Sequence, residues 1–366
     1  MKDSRPVLIT GGAGFIGSNL ADRLASEGHE VLIYDSLARP GVERNLAWLK
    51  SRWDDQITAV VADLRDVGTL TRAANEASAV FHLAAQVAVT TSLEEPLGDF
   101  AVNLGATVRL LETLRRRPDP APLIFASTNK VYGDLGELEF EVRGEGYVPV
   151  DPRYRNSGVD ETRPLDFHTP YGCSKGAADQ YVLDYARSFG VPTCVLRMSC
   201  IYGRRQMGTE DQGWVAHFAI RTLEGKPITV FGDGRQVRDI LDAADTVEAY
   251  LQAWRRIGQV QGRALNLGGG PDNAASLLQV ISEIEKLTGR KAELQFSDWR
   301  MGDQRWYVSD PRRAQRELHL GAFKPWRQGV ADLVGWLADE RGFDIPRAES
   351  RQSGESRPEA VAAGAA

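Results

Sequence analysis

A short apolar run, a cluster of four glycines and an amphipathic stretch follow one another in VLITGGAGFIGSNLADRLASEG, residues 7–28. That order leaves the chain few folds. VLIT has the length and apolarity of a buried strand. SNLADRLASEG reads as a helix, with Leu20 and Leu24 one turn apart and Gly28 as its stop. Between them Gly11, Gly14 and Gly17 mark a tight junction, and Gly12 completes the spacing G-x-G-x-x-G. Glycines there let the backbone turn sharply and approach a pyrophosphate closely. The helix start, at Phe15 and Ile16, offers free N–H groups and a positive dipole end to such an anion. The next apolar run, EVLIYD, ends on Asp35. A carboxylate there accepts both ribose hydroxyls of NAD and repels the 2′-phosphate of NADP, so the expected cofactor is NAD.

Further apolar runs of strand length follow: ITAVVAD, AVFHLAA, PLIFAST, TCVLRMS and RALNLGG. Helical patterns such as NLGATVRLLETLRR separate them. Short strands alternating with helices imply an α/β protein whose parallel sheet is covered on both faces. The expected fold is a Rossmann doubly wound parallel sheet with a smaller, mostly C-terminal substrate-binding domain. Residues 1–197 plus 239–285 are assigned to the NAD-binding part and 198–238 plus 286–346 to the substrate part. The regularity fails between Gly133 and Pro170, a Gly-, Glu-, Arg- and Pro-rich stretch expected to be a substrate-covering loop. The tail, 347–366, is polar and poor in bulky apolar residues, and is expected to be disordered.

The 366 residues carry a net charge of −6, which gives no reason to expect a nucleic-acid partner. No apolar run approaches the roughly 18 residues of a membrane span. Cys173, Cys194 and Cys200 lack C-x-x-C spacing, and the start MKDSRPVLITGG runs straight into a strand. A reduced, cytoplasmic protein is the expectation. The five histidines show no metal-ligand spacing, so no metal is expected.

YGCSK places Tyr171 and Lys175 four residues apart, on one face of a helix. An ordinary tyrosine, with a pKa near 10, is a poor base at neutral pH. A lysine one turn away and a positive nicotinamide ring would stabilise its phenolate. The tyrosine could then take a sugar hydroxyl's proton while hydride leaves the same carbon. Thr128, at the end of PLIFAST, is placed to share that proton.

TGGAGFIG, HLAAQ, NLGATVRLLE, STNKVYG, YGCSK and QVRDI together resemble the extended short-chain dehydrogenase/reductase family, over about residues 5–340. The resemblance implies tightly bound NAD, a nucleotide-activated sugar or nucleoside as substrate, and the catalytic trio Thr128, Tyr171 and Lys175. It also implies that Asp63 and Leu64 reach the adenine, that Leu83, Ala84 and Ala85 line the cofactor, and that Asn103 supports it. A homodimer or homotetramer is the expected assembly.

Sugar 4,6-dehydratases of this family carry an Asp-Glu pair after the threonine, which serves as the acid and base of an elimination. Here Asn129 and Lys130 stand there, and neither is a carboxylate. What remains is oxidation, rotation of the keto sugar and reduction on the other face. STNKVYGD, YGRRQMGTEDQGWV and GDGRQVRD further resemble the family's CDP-hexose 2-epimerases. Met198 and Cys200 depart from the polar pattern expected in the substrate half. A 4-epimerase, an atypical dehydratase, a nucleoside-modifying relative and a non-catalytic NAD-binding regulator therefore stay open. Arg238 and Arg305 resemble a diphosphate clamp. Trp214 borders the base or packs in the core, His168 touches substrate or has no role, and Asn129 and Lys130 bind the sugar. Cys173 is expected to be a small buried residue of the catalytic helix.

Overall fold

The computed structural model describes residues 5–346, so the expected disordered tail lies outside the described residues. All seven expected strands form one parallel sheet. Its spatial order is Arg263–Leu267, Thr193–Met198, Leu123–Thr128, Ala79–His82, Val7–Thr10, Val31–Asp35, Ile57–Val61. The chain winds outward from Val7–Thr10 in one direction and from Ala79–His82 in the other. A crevice therefore opens at the carboxyl ends of these two strands, where doubly wound sheets bind ligands.

The continuous apolar strands follow from burial on both faces. Val7, Ile9, Val31 and Ile33 pack with Leu20, Leu24 and Leu49 and with Tyr250 and Leu251 on one face. Leu8, Leu32 and Tyr34 pack with Leu70, Leu110, Leu114 and Val182 on the other. The period of two sends successive side chains into opposite layers.

A second unit is built around the strand Val237–Asp242, which pairs with Cys200–Tyr202, Ala274–Ser276 and Trp306–Tyr307. The helices Trp214–Glu224, Leu277–Thr288 and Trp326–Arg341 share a core, with Phe218, Ile281, Ile284 and Leu333 in contact. The domain boundaries expected at 238 and 285 thus cut one strand and one helix of this unit. A helical period reports an apolar face but not which sheet that face will cover.

Residues 133–170 are more regular than a covering loop. They form an antiparallel hairpin, Phe140–Arg143 with Gly146–Pro149, and a short helix, Pro152–Ser157, capped by Asp151. Leu135, Val159, Phe140 and Tyr147 pack with Val237, Trp306 and Val308, and this apolar contact orders the segment against the second unit. No helix among the described residues is long and apolar enough to cross a membrane.

Candidate active site

The glycine turn is built by close approach. Gly11 has φ +71°, and a Cβ there would lie 2.7 Å from the Ala84 nitrogen. A Cβ on Gly17 would lie 2.2 Å from the Gly11 oxygen. The helix Phe15–Ser26 starts after Gly14 without a side-chain cap, so its first N–H groups remain available. Asp35 accepts from the Ala13 N–H at 3.0 Å and the Leu37 N–H at 2.9 Å, which holds its carboxylate beside the turn. A side-chain-free cradle, an open helix end and an adjacent carboxylate fit a bound dinucleotide.

The other expected cofactor residues converge on the same crevice. Gly11 packs against Leu83 and Ala84, and the Ala84 N–H donates to Thr10 Oγ1 at 3.3 Å. Asn103 is buried and ties three elements together. It accepts from the Gln86 N–H at 2.9 Å and donates to Asp99 at 3.0 Å and to Ser174 at 3.2 Å. It thus braces the segment carrying Ala85 and Gln86 against the catalytic helix. Asp63 is held in a fork by Arg65, whose bonds lower its pKa, while Leu64 is buried beside it.

The helix Thr169–Phe189 begins with Pro170 in its first turn and presents Tyr171 and Lys175 on one buried face. The Tyr171 N–H donates to Ser92 Oγ at 3.2 Å. Burial pushes the phenol up to about 12; a bond with the Thr128 hydroxyl opposes this and Asp99 adds to it. Lys175 Nζ donates to the Ala126 carbonyl at 2.6 Å and sits 4.1 Å from the centre of the Phe125 ring. Burial pulls it down to about 7, against the pull of Asp179 and Asp99. The expected lowering of the tyrosine by its lysine is thus not seen in the protein alone, where desolvation dominates both groups. Behind the helix, Arg197 grips Asp179 through two bonds of 2.9 Å, and Ser127 donates to the same carboxylate at 2.7 Å. This buried pair fixes the helix to the strands that end at Thr128 and Met198.

Asn129 and Lys130 begin a short 3₁₀ turn, Asn129–Tyr132, immediately after Thr128. Lys130 Nζ donates to the Gly302 carbonyl at 2.9 Å. Desolvation, helped by Arg238, lowers it to about 8. Asn129 Nδ2 donates to Gln304 Oε1 at 3.1 Å. Arg238 is buried and donates to Asp303 at 2.7 Å and to the Gln304 carbonyl at 2.6 Å. These residues form one cluster with the end of the Thr128 strand.

Three other expected substrate residues lie differently. Arg305 is exposed, with its guanidinium 5.6 Å from the Tyr147 ring centre and 5.9 Å from that of Trp299. Trp214 is half-buried; it donates to Cys200 Sγ at 3.4 Å and meets Phe218 edge-on. His168 precedes the catalytic helix and lies 3.0 Å from Asp166. Cys173 is exposed, contrary to expectation, because its position on the helix faces away from Asp99 and the sheet. Asp303, Gln304, Asp99 and Ser174 belong to the site without having been expected. GDQRW offers no motif for the first two, and only the fold brings them to Asn129.

The family model described as NAD dependent epimerase/dehydratase matches residues 7–268, and the chain belongs to that family. It is an enzyme of the NAD-dependent class. Its sequence is 40% identical over 339 residues to the CDP-paratose 2-epimerase of Salmonella typhi, covering 91% of this chain and 99% of the relative. Its structure resembles a Thermotoga maritima UDP-glucose 4-epimerase solved with UDP-glucose, with TM-score 0.78 and 28% identity over 92% of this chain and 99% of the other. A Thermus thermophilus UDP-glucose 4-epimerase solved with NAD gives TM-score 0.76 and 30% identity, covering 91% and 98%.

Proposed function

We propose that the protein inverts carbon 2 of a CDP-hexose of the paratose/tyvelose type without net oxidation. The observation that carries this reading is the amide–amine pair Asn129–Lys130 at the end of the Thr128 strand, where an elimination needs carboxylates. The 40% identity to a CDP-paratose 2-epimerase supports the same carbon and the same base.

Gly11, Gly14, Phe15, Ile16 and Gly17 would hold the cofactor's pyrophosphate, Asp35 its ribose, and Asp63 and Leu64 its adenine. Leu83, Ala84 and Ala85 would line its course, with Asn103 behind them. Bound NAD supplies a reversible acceptor for hydride. Tyr171 takes the proton of the sugar hydroxyl as its carbon is oxidised, and returns it when the carbon is reduced. Thr128 shares that proton by its bond to Tyr171. Lys175 stabilises the phenolate when charged. Lys130 and Asn129 hold the sugar oxygens, and Arg238 steers the diphosphate, leaving Asp303 to do so. Between the two half-reactions the keto sugar turns and presents its other face.

The test is to denature the purified protein, identify the released cofactor, and assay CDP- and UDP-sugars with product analysis by NMR. Inversion at carbon 2 of a CDP-hexose and release of NAD(H) are expected. Inversion at carbon 4, or loss of water from the sugar, would replace this reading.

A further inference from the structure

We propose that residues 204–212 form a clasp that crosses the dinucleotide crevice and holds the reduced cofactor on the protein until its hydride is returned. Arg205 is the positioning residue that keeps the clasp shut. The clasp rests on the crevice being the cofactor site, and the need for it rests on the redox-neutral cycle. Such a cycle returns the hydride to the sugar it came from, so the protein must hold the reduced cofactor until then.

The crevice lies among the loops that follow three neighbouring strands, Ala79–His82, Val7–Thr10 and Val31–Asp35. Residues 204–212 belong to the second unit, between the strand Cys200–Tyr202 and the helix Trp214–Glu224. They nevertheless touch the first unit after all three strands. At the middle strand, Asn45 Nδ2 donates to the Ala13 carbonyl of the glycine turn at 3.1 Å and to the Arg205 carbonyl at 3.2 Å. Asn19, in the helix that opens there, donates to the Arg204 carbonyl at 3.0 Å. In the loop after Asp35, a Cβ on Gly41 would lie 2.9 Å from Met207 Cγ. On the other side, beyond Ala85 and Gln86, Thr90 Oγ1 donates to Asp211 at 3.4 Å. A segment tied at the middle strand that reaches the loops of both outer strands must cross the crevice between them.

Two side chains of the segment grip both units. The Arg205 guanidinium lies 4.0 Å from the ring centre of Trp48, on the helix Val42–Arg52 of the first unit. It lies 5.6 Å from that of Trp336, on the helix Trp326–Arg341 of the second. A cation between two indole rings is drawn to both. Asp211 accepts from Thr90 of the first unit and lies 3.4 Å from Arg300 of the second. It is exposed, so its tie is the weaker one. The clasp can also open. Arg205 has φ +70°, a conformation that a side chain disfavours. Among the described residues, Asn45 Oδ1, Gln206 Oε1 and Gln212 Oε1 are buried without a hydrogen-bond partner, which costs free energy. A segment carrying such costs opens locally before the sheet does, and that gives the cofactor its way in.

The test loads the full protein with NADH, adds excess NAD, and follows release by the loss of protein-bound nicotinamide fluorescence. It needs no sugar, so it is decided apart from which carbon reacts. Arg205→Ala should release NADH about tenfold faster, the scale of one cation–π contact. Arg205→Lys keeps a cation for Trp48 and should restore most of the retention. Asp211→Asn should speed release by only about twofold, as an exposed tie would. Trp336→Leu changes the second unit alone and should also speed release. Combined with Arg205→Ala it should add almost nothing, because both remove one contact. Release at the wild-type rate from Arg205→Ala overturns the clasp. Effects of Arg205→Ala and Trp336→Leu that multiply in full also overturn it, since they would report a general loosening. A Gly17→Ala protein that holds NADH as the wild type does overturns the crevice as the cofactor site, and the clasp with it. Wild-type release from Arg205→Ala beside loss of NADH from Gly17→Ala overturns the clasp alone.

Discussion

The glycine turn and the cluster at Asn129 follow the carboxyl ends of two strands of one sheet, Val7–Thr10 and Leu123–Thr128, and they are specified in different ways. At the turn the decisive relations are local. Gly17 must let its backbone reach Gly11, and Asp35 binds the Ala13 N–H 22 positions away. Backbone shape does the work, and missing side chains make the room. At Asn129 the decisive bonds join residues 171, 172 and 175 positions apart: Gln304 to Gly133, Lys130 to Gly302 and Asn129 to Gln304. Side-chain donors and acceptors do the work, and they meet only when both units are folded. A local steric rule leaves a spacing in the sequence, whereas a long-range pairing of donors leaves none.

Substitutions should therefore separate the two ends. The largest effect is expected at Tyr171, the proposed base. Tyr171→Phe should lower turnover by about 100-fold or more, the scale of general acid–base catalysis, while bound NAD is retained. Steady-state rates and the cofactor released on denaturation check both halves of that statement. Gly17→Ala should do the reverse. Its Cβ meets the Gly11 oxygen, so the turn must shift, NAD should be lost, and stability should drop by about 1–3 kcal/mol in urea unfolding. A Gly17→Ala protein that keeps its NAD would remove the contrast drawn here.

A pH effect sharpens the comparison from the buried side. Burial holds Lys175 at about 7, below its ordinary value of 10.5. Between those values the unfolded chain binds the proton that the folded chain does not, so stability rises with pH. For the NAD-free protein the gain from pH 7 to pH 9 should be about 2 kcal/mol from this group. Lys175→Met should flatten the slope, and an unchanged slope would assign it to other groups. The smallest effect is expected at Asp35. Asp35→Asn removes one charge at a half-exposed place, and the preference for NAD over NADP should relax by roughly tenfold, read from competitive binding.

The same contrast explains what could be read before folding. All seven strands of the parallel sheet were legible, because strands buried on both faces are unbroken apolar runs. The glycine turn, Asp35 and the Tyr171–Lys175 pair were legible because their spacing is their geometry. The hairpin Phe140–Arg143/Gly146–Pro149 was missed, since its strands alternate weakly and gain their order from Val237 and Trp306. Gln304 and Asp303 were missed because nothing near them in the chain signals Asn129 or Arg238. Cys173 was misplaced because a helix face is set by its neighbours in space. The 3.6-residue period alone could not choose it.

The central claim is that no carbon-bound hydrogen passes to solvent, since Asn129 and Lys130 provide no carboxylate to carry it. Running the reaction in heavy water and examining the product by mass spectrometry and proton NMR tests this directly. If, as proposed, hydride leaves and returns to the same carbon and only hydroxyl protons pass through Tyr171, the product should carry no deuterium on carbon. Stoichiometric deuterium on carbon would contradict the account and make an eliminating or enolising enzyme of it.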